Sequence, residues 1–391
     1  MKVLYITSWY PREDNPASGI CVKDIAKAVS TTDEVVVLYG YVDDRVSKLY
    51  EVTSAVEEGI RTFRVRCKKL ALRFSYIIYF YAMIRTFQII LKEFKPDIIH
   101  AHVFLSGFVG VILGKFYGIP VIVSEHVFIE KDVFDLTYRV INFLRLVIAR
   151  FALNNAQLVV VPSSFLRDYL RSKKIKNVIR IIPNTVDTSF FYPHPSKKSC
   201  DSKKILFVGS LHPVKGIPYL LDAIARINKK RSDFFLDIIG DGPYREHYEQ
   251  LTQKLEITDK VKFHGLKRRE DVLKFMQECD FLILPSIWEV FGIVLIEAMA
   301  CGKPVIATAC GQKEIINKKT GIIVPPQNSK ALAEAIEYML DNLKKYKSLE
   351  IVKHVDRNFS YQAVGRILHK TYAQIVEEWR AKTRLKYGTQ K

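Results

Sequence analysis

The sequence contains little of what marks a disordered, fibrous or disulfide-stapled chain. Its 391 residues include 18 glycines, 15 prolines and six cysteines, and the cysteines are scattered without a C-x-x-C pair. The glycine and proline content excludes collagen and low-complexity sequence, and 49% hydrophobic residues exclude a disordered chain. The cysteine pattern predicts buried, reduced thiols and therefore the cytosolic side of a membrane.

Long uncharged runs are also missing. The longest stretch without Asp, Glu, Lys or Arg is 98–114, which is shorter than the roughly 20 apolar residues of a membrane-spanning helix. The first residues, Met1 to Tyr10, meet the sequence Pro11-Arg-Glu-Asp14 without a small-residue cleavage site. We therefore expect a first buried strand here instead of an export signal, and no transmembrane span.

Acidic residues are scarce relative to basic ones. Lysine and arginine total 60 against 41 acids, a net charge of +19 that favours anionic partners. Segment 61–95 holds nine basic residues, one acid and eight Phe or Tyr, and segment 139–176 holds eight basic residues and one acid. This pattern indicates either helices in an anionic membrane interface or core helices with a solvated basic face. Nucleic-acid binding is a distant alternative, because no known binding module is recognisable.

Short apolar runs alternate with helical patterns along the chain. Runs such as Val3–Ile6, Ile98–His100 and Phe281–Leu284 predict strands that are buried on both faces and joined by crossover helices. The pattern restarts after the Pro-, Ser- and Lys-rich stretch 192–198, which is typical of a linker. The sequence therefore predicts an α/β protein of two Rossmann-like doubly wound domains.

We place these domains at 1–195 and 196–360, facing a cleft. In such folds ligands bind at the carboxyl ends of the strands. A final helical segment, 361–391, could cross back to the first domain.

The most specific segment runs from Leu284 to Thr308. It predicts a strand, a loop that carries Glu289, and a helix that opens near Gly292 and carries Glu297. A helix N-terminus suits a phosphate, and an acidic side chain can accept the hydroxyls of a ribose. The block resembles the signature of the retaining glycosyltransferases of family 4. Their hallmark, Glu-x7-Glu, is followed here by Ala-Met-Ala-Cys-Gly-Lys-Pro-Val.

This resemblance implies a glycosyltransferase-B fold and a nucleoside-diphosphate-sugar donor, with UDP favoured over GDP. The segment 207–216 resembles the family's diphosphate turn, in which Lys215 would pair with the donor diphosphate; Ser210 stands where many relatives have arginine. The turns 238–243 and 263–265 resemble loops near the base. The implied donor-binding set is Gly19, Gly209, Ser210, Lys215, Gly240, Gly242, Gly265, Glu289, Phe291, Gly292, Ile293, Val294 and Glu297.

Other segments resemble the acceptor side of the family. Trp9 to Gly19 resembles an opening glycine loop and is not the G-x-G-x-x-G of a nicotinamide dehydrogenase. His126 follows a predicted strand and matches a family position near the acceptor and the transferred sugar, while His102 ends the preceding strand. The implied acceptor-side residues are His102, His126 and Asn184, and the implied catalytic residues are His126, Glu289 and Lys215.

The predicted reaction is transfer of a sugar to an acceptor hydroxyl with retained anomeric configuration. The resemblance implies no cofactor and no metal, and the sequence has no spacing typical of a metal site. We expect a glycan or lipid-linked acceptor at the inner face of the cell membrane, and therefore a cytoplasmic, peripheral protein. A nucleotide-sugar epimerase and a glycosidic phosphorylase are alternatives on the same fold.

Overall fold

Two separate β-sheets organise the chain in the computed structural model. The residues described are 1–16, 18–70, 72–129, 136–194 and 202–387. Unit 1 comprises residues 1–162, 166–182 and the segment from Tyr361 onward, whereas unit 2 comprises 163–165 and 183–360. Each sheet is mainly parallel and flanked by helices, so the predicted class of two Rossmann-like domains is confirmed.

Unit 1 contains an eight-stranded sheet. Its strands are β1 (Lys2–Thr7), β2 (Glu34–Asp43), β3 (Tyr50–Glu57), β4 (Ile60–Lys68), β5 (Ile98–His102), β6 (Val121–Ser124), β7 (Leu158–Val161) and β8 (Ile179–Ile181). The first helices of the chain are α1 (Ile20–Ser30), α2 (Leu72–Glu93), α3 (Phe104–Tyr117), α4 (Leu136–Asn155) and α5 (Ser164–Ser172). The strand order is β3-β4-β2-β1-β5-β6-β7-β8, and β3 runs antiparallel to β4.

The centre of this sheet sets the position of a ligand site. Strand β1 is buried from Val3 to Thr7 and pairs in parallel with β2 on one side and with β5 on the other. The chain moves outward from β1 in one direction and later returns to β5 to move in the other. In doubly wound folds such a reversal opens a crevice at the carboxyl ends of the strands. The loop after β1 and the turn after His102 lie at this edge.

Unit 2 has the same doubly wound topology, with a sheet of six parallel strands. They are β9 (Lys203–Val208), β10 (Phe234–Ile239), β11 (Val261–Phe263), β12 (Phe281–Leu284), β13 (Val305–Thr308) and β14 (Gly321–Val324), in the order β11-β10-β9-β12-β13-β14. The helices are α6 (Ile217–Asn228), α7 (Arg245–Lys254), α8 (Arg269–Glu278), α9 (Ile293–Ala300), α10 (Ser329–Asn342) and α11 (Ser348–Asn358). The order reverses between β9 and β12, so the turns that follow these two strands flank the switch point.

The chain passes into unit 2 at Pro183, before the predicted boundary at residue 195. Packing explains the difference, because Val186 and Phe191 are buried in the core of unit 2. Residues 195–198 of the predicted linker lie outside the described residues.

The last helix, α12 (Tyr361–Tyr387), belongs to unit 1. It packs against α1, and the Tyr361 hydroxyl donates to the buried carboxylate of Asp24 at 2.6 Å.

Segment 61–95 differs from the helix expected there. Residues 60–68 form β4, so the helix begins at Leu72. Phe87, one of the eight aromatic residues of this segment, is fully buried and belongs with Tyr79, Met83 and Ile90 to the face that covers the sheet. By length and composition, Phe74–Glu93 is a candidate membrane span in the described part of the chain, and 39% of it is buried.

The cysteine prediction is confirmed for five of the six residues. The structure has free, buried thiols at Cys21, Cys67, Cys279, Cys301 and Cys310, and burial raises the pKa of each. Cys200 lies outside the described residues.

Candidate active site

Two turns meet at the switch point of unit 2. The chain leaves β9 at Gly209, forms a short 3-10 turn at Pro213–Lys215 and enters α6 through Gly216, whose φ is +68°. A Cβ at Gly216 would lie 2.0 Å from the carbonyl oxygen of Pro285, in the turn that follows β12. Glycine is therefore required here, because the two backbones approach closely. This contact brings the loops of Lys215 and Glu289 together.

Lys215 and Glu289 form an ion pair at this point. The Lys215 Nζ donates to the Glu289 Oε2 at 2.6 Å, and the Ser286 hydroxyl donates to the same oxygen at 3.4 Å. The two side chains are 21% and 15% exposed, so the pair is accessible but only partly hydrated. A lysine in this setting can exchange its carboxylate partner for phosphate oxygens. The carboxylate can then accept hydrogen bonds from hydroxyl groups of a ligand.

The loop that carries Glu289 is fixed from several sides. Gly311 has a φ of +70°, and a Cβ there would lie 2.4 Å from the carbonyl oxygen of Glu289. The Ser163 hydroxyl donates to the carbonyl oxygen of Val290 at 2.6 Å. Glu314, three residues after Gly311, accepts the backbone N–H of Ser164 at 2.9 Å. These contacts preorganise the position of Glu289.

The opening of α9 follows this loop. The Gly292 N–H donates to the Gln312 side chain at 3.1 Å, and a Cβ on Gly292 would collide with Leu284 and Leu295. Ile293 and Val294 are half-buried in the first turn of the helix. The Phe291 side chain is buried in the core of unit 2, so only the backbone of this residue is available for the predicted donor binding.

The remaining predicted glycine turns stack against each other through backbone hydrogen bonds. The Gly209 N–H donates to Ile239 at 3.0 Å, and the Gly240 N–H donates to Gly265 at 3.0 Å. Gly240 has a φ of +131°, and its Cβ would lie 1.9 Å from the Gly209 carbonyl oxygen. A Cβ at Gly242 would lie 2.7 Å from the carbonyl oxygen of Leu211. These glycines permit the close packing of loops at the carboxyl edge, and Ser210 lies exposed between them.

Glu297 lies about one helical turn into α9. It is on α9, 17% exposed, and its Oε1 is 4.0 Å from the Arg269 guanidinium. Asn184 also belongs to unit 2 and is buried, although its sequence pattern suggested the first domain. Its neighbour Thr185 donates to the carbonyl oxygen of Phe359 at 2.7 Å, which anchors this loop to unit 2.

In unit 1, the opening loop closes on Gly19. This residue has a φ of +66° and lies directly before α1, and a Cβ there would approach Trp9 within 2.4 Å. The close approach of Trp9 therefore explains why residue 19 is a glycine. Gly19 belongs to unit 1, whereas the other residues of the predicted donor set belong to unit 2.

Three buried histidines lie at the carboxyl ends of β5 and β6. The His102 Nδ1 is 3.0 Å from the His126 Nε2, and the two rings stack with an interplanar angle of 9°. His100 is bound to the Tyr372 hydroxyl at 2.6 Å and to the Ser124 hydroxyl at 2.7 Å. Burial lowers the pKa of His100 to about 3 and that of His102 well below its usual value. Both rings are therefore neutral at physiological pH.

The facing nitrogens of the pair share one hydrogen bond. Either the His102 Nδ1 donates to the His126 Nε2, or the His126 Nε2 donates to the His102 Nδ1. The other ring nitrogen of His102, Nε2, is buried and has no hydrogen-bond partner among the described residues.

Sequence reasoning missed several residues of this cluster. Tyr372 comes from α12, far along the chain, and Tyr5 bonds to it at 3.1 Å. Glu125 directly precedes His126, and its buried carboxylate accepts three backbone N–H groups. The available signal was a carboxylate directly after an uncharged buried strand, where an acid is costly unless it is hydrogen-bonded.

Among the residues that the structure describes, no group of three His, Cys, Asp and Glu side chains is placed to hold a metal ion. Unit 2 thus contains a lysine–glutamate pair, and unit 1 contains a pair of stacked histidines. Each lies at the switch point of its own sheet. Doubly wound units with phosphate-compatible turns at their switch points are typical of nucleotide-binding α/β proteins.

Comparisons with known proteins specify the class. Residues 191–351 match the family model of glycosyl transferases group 1, and residues 19–190 match that of glycosyltransferase family 4. An uncharacterized glycosyltransferase of Methanocaldococcus jannaschii is 30% identical over 286 residues, which cover 71% of this chain and 76% of that protein. The chain belongs to this family of glycosyltransferases, as the sequence resemblance predicts.

Two solved structures share the glycosyltransferase-B fold of this chain. Sucrose-phosphate synthase from Thermosynechococcus elongatus aligns with a TM-score of 0.77 at 24% identity, covering 97% of this chain and 100% of that one. Anabaena HepE, solved in complex with UDP, aligns with a TM-score of 0.72 at 20% identity and covers 96% of this chain and 100% of that one. The fold prediction is therefore confirmed.

Proposed function

We propose that this glycosyltransferase moves a sugar from a UDP-sugar to an acceptor hydroxyl with retention of anomeric configuration and without a metal ion. The observation that carries the proposal is the accessible ion pair of Lys215 and Glu289 at the switch point of unit 2. The UDP complex of HepE, a protein of the same fold, supports the choice of nucleotide.

The role of Lys215 follows from where charge develops. When the bond between the anomeric carbon and the diphosphate oxygen breaks, negative charge accumulates on the leaving diphosphate. A fixed ammonium group and the N–H groups that open α9 at Ile293 and Val294 stabilise that charge without reorganisation. Ser210 supplies a hydroxyl where many relatives have an arginine, so Lys215 carries more of this stabilisation here.

Glu289 and Glu297 take different roles in this proposal. When Lys215 turns to the diphosphate, Glu289 accepts hydrogen bonds from hydroxyl groups of the transferred sugar. Glu297 accepts hydrogen bonds from the hydroxyl groups of the ribose. The acceptor oxygen attacks the anomeric carbon on the face from which the diphosphate departs, and its proton passes to the departing phosphate oxygen. The configuration is retained in this way without a carboxylate nucleophile. His126 and His102 act on the acceptor side.

We further propose that the acceptor is lipid-linked and that unit 1 docks on an anionic membrane at the cytoplasmic face. Three adjacent helices support this, because Phe80 of α2 contacts Phe108 of α3, and Phe108 contacts Phe151 of α4. Their outer side chains form a large exposed apolar surface: Phe74, Ile77, Tyr81, Ile84, Ile112, Phe116, Phe143, Leu144 and Val147. The cations Lys69, Arg85, Lys92 and Lys115 are exposed on the same helices or next to them.

Vesicle binding tests the membrane part of the proposal. Wild-type protein should cosediment with vesicles rich in phosphatidylglycerol and much less with phosphatidylcholine vesicles, and added salt should weaken binding. The variant F74S/I77S/F116S should bind about tenfold more weakly, because it removes three exposed apolar side chains. Y338S, at an exposed aromatic position on α10, is the matched control. Equal binding of both vesicle types would contradict the proposal.

Turnover of a panel of UDP-sugars and GDP-sugars tests the chemistry. We expect UDP release from at least one UDP-sugar, a product with the donor's anomeric configuration by NMR, and an unchanged rate in excess EDTA. Isomerisation of the donor without transfer would identify an epimerase. Release of a sugar 1-phosphate that depends on inorganic phosphate would identify a phosphorylase. Loss of activity in EDTA that Mg²⁺ or Mn²⁺ restores would refute the metal-free mechanism.

A further inference from the structure

Glu125 is a fully buried carboxylate that bonds to the backbone of two neighbouring loops. Its Oε2 accepts the N–H of Phe104 at 2.9 Å, and its Oε1 accepts the N–H groups of His126 at 3.0 Å and Val127 at 3.3 Å. Phe104 opens α3 after β5, whereas His126 and Val127 follow β6. One side chain therefore ties the ends of two adjacent strands together.

The first of these loops contains a strained residue. Val103 has a φ of +69° and a ψ of +143°, a region that is almost closed to a β-branched side chain. Strain of this kind persists only where surrounding contacts impose it. Here the Val103 N–H donates to the Ser124 carbonyl oxygen at 2.8 Å, and the next N–H, that of Phe104, donates to Glu125.

The strained turn and the carboxylate each border one histidine of the pair. His102 directly precedes Val103, and His126 directly follows Glu125. The 3.0 Å contact between the His102 Nδ1 and the His126 Nε2 therefore depends on how the two loops are joined. We propose that Glu125 is a positioning residue: by holding the Val103–Phe104 turn and the His126 backbone, it sets the stacked geometry of the His102–His126 pair.

The importance of this pair for transfer rests on the proposed function, but its geometry does not. Burial raises the pKa of Glu125 to about 7, and the three N–H groups and the positive charge of Arg145 oppose that rise. Both oxygens accept hydrogen bonds, so a neutral amide of the same shape cannot replace the carboxylate: its NH₂ group would face an N–H donor. A side chain that merely filled space would tolerate the amide.

The experiment compares wild-type protein, E125Q and the matched control D24N. Asp24 is a buried acid of the same unit that bonds to Tyr361 on α12, away from the histidine pair. Two-dimensional ¹⁵N–¹H spectra of the histidine rings should show the same ring signals for His102 and His126 in wild type and in D24N. In E125Q these two signals should shift, while those of His264, His354 and His369 stay in place.

Activity and rescue complete the test. E125Q should lower kcat about 100-fold and leave UDP affinity within twofold, because Lys215, Glu289 and Glu297 belong to unit 2. Adding V103G should restore the histidine signals and part of kcat, since glycine adopts this turn without strain. If E125Q does not fold, E125D and V103G/E125Q are measured, with the larger recovery expected from the double variant.

Unchanged histidine signals together with unchanged kcat in E125Q would overturn the proposal. A double variant without recovery would exclude the Val103 turn as the route by which Glu125 acts. If wild-type protein turns over no donor, the proposed function fails, whereas the histidine spectra still decide the role of Glu125.

Discussion

The two units have the same doubly wound topology, but the candidate site residues of each unit differ in charge and in burial. In unit 2, a charged pair of Lys215 and Glu289 lies partly exposed at the switch point between β9 and β12. In unit 1, the edge formed by β5 and β6 contains neutral, fully buried rings, His100 and His102, whose pKa values burial lowers. One unit offers fixed charge, and the other offers uncharged hydrogen-bond donors and acceptors.

This difference matches the ligands that each unit is proposed to bind. A diphosphate needs cations and helix N-termini, which retain their charge only with some access to water. An uncharged hydroxyl needs directional hydrogen bonds, and burial makes these stronger. The comparison therefore supports the proposal that unit 2 binds the charged donor and that unit 1 contributes orientation. Each prediction below would break or sharpen that contrast.

The largest effect is expected from the two glutamates of unit 2. E289A should lower the transfer rate about 10²–10³-fold, because contacts to the reacting sugar are lost, and should leave UDP affinity equal or higher, since Lys215 loses its competing carboxylate. E297A should instead weaken UDP binding about tenfold. E334A, on the exposed face of α10, is the control in rate assays and calorimetry. Equal UDP affinity in E297A and wild type would contradict the assigned ribose contact.

A smaller effect concerns how the loops of unit 2 are packed. G240A would force a Cβ to 1.9 Å from the Gly209 carbonyl oxygen at a positive φ, and we expect a loss of about 3 kcal/mol or more in the free energy of unfolding. G59A has a positive φ with open space around it, so it should cost about 1 kcal/mol. Urea unfolding measures both. Equal losses would show that the loop contact is unimportant.

The smallest effect is the pH dependence of unit 1. His100 has a folded-state pKa of about 3, below its ordinary value of 6.5, so the unfolded chain binds the proton first as pH falls. Its stabilisation is complete above about pH 6.5 and is lost toward pH 3, by about 1 kcal/mol per pH unit.

Urea unfolding between pH 7 and pH 4.5 measures this loss. H100Q should flatten the decline relative to wild type, and H194Q, at an exposed position, should not. Parallel profiles for all three proteins would refute the role of His100 burial.

Much of the fold could be predicted because parallel strands that are buried on both faces appear in the sequence as continuous apolar runs. Strands β1, β5 and β12 are of this kind. Strand β3 was missed because it lies at the edge of the sheet with most of its residues exposed. The exposure of α2 could not be predicted either, since the helix is apolar nearly all round and its contacts decide that Phe87 is buried while Phe74 is not.

Some residues of the candidate site could likewise be predicted from the sequence, and others could not. Lys215 and Glu289 lie in short motifs whose spacing is visible in the sequence, and the structure brings them within 2.6 Å of each other. The roles of Glu125 and Tyr372 depend on partners that are distant in the sequence, such as Phe104 and His100. The positive φ of Val103 could not be predicted from the sequence, because valine rarely adopts a positive φ.

The most direct measurement is calorimetric titration of UDP into wild-type protein, K215A and the control K262A, which removes an exposed lysine of β11. Uridine is titrated into the same proteins to separate phosphate contacts from base contacts. The account predicts that K215A loses at least tenfold in UDP affinity, that K262A binds UDP as wild type does, and that uridine affinity is equal in all three. Equal UDP affinity in K215A and wild type would contradict the claim that unit 2 binds the donor diphosphate through Lys215.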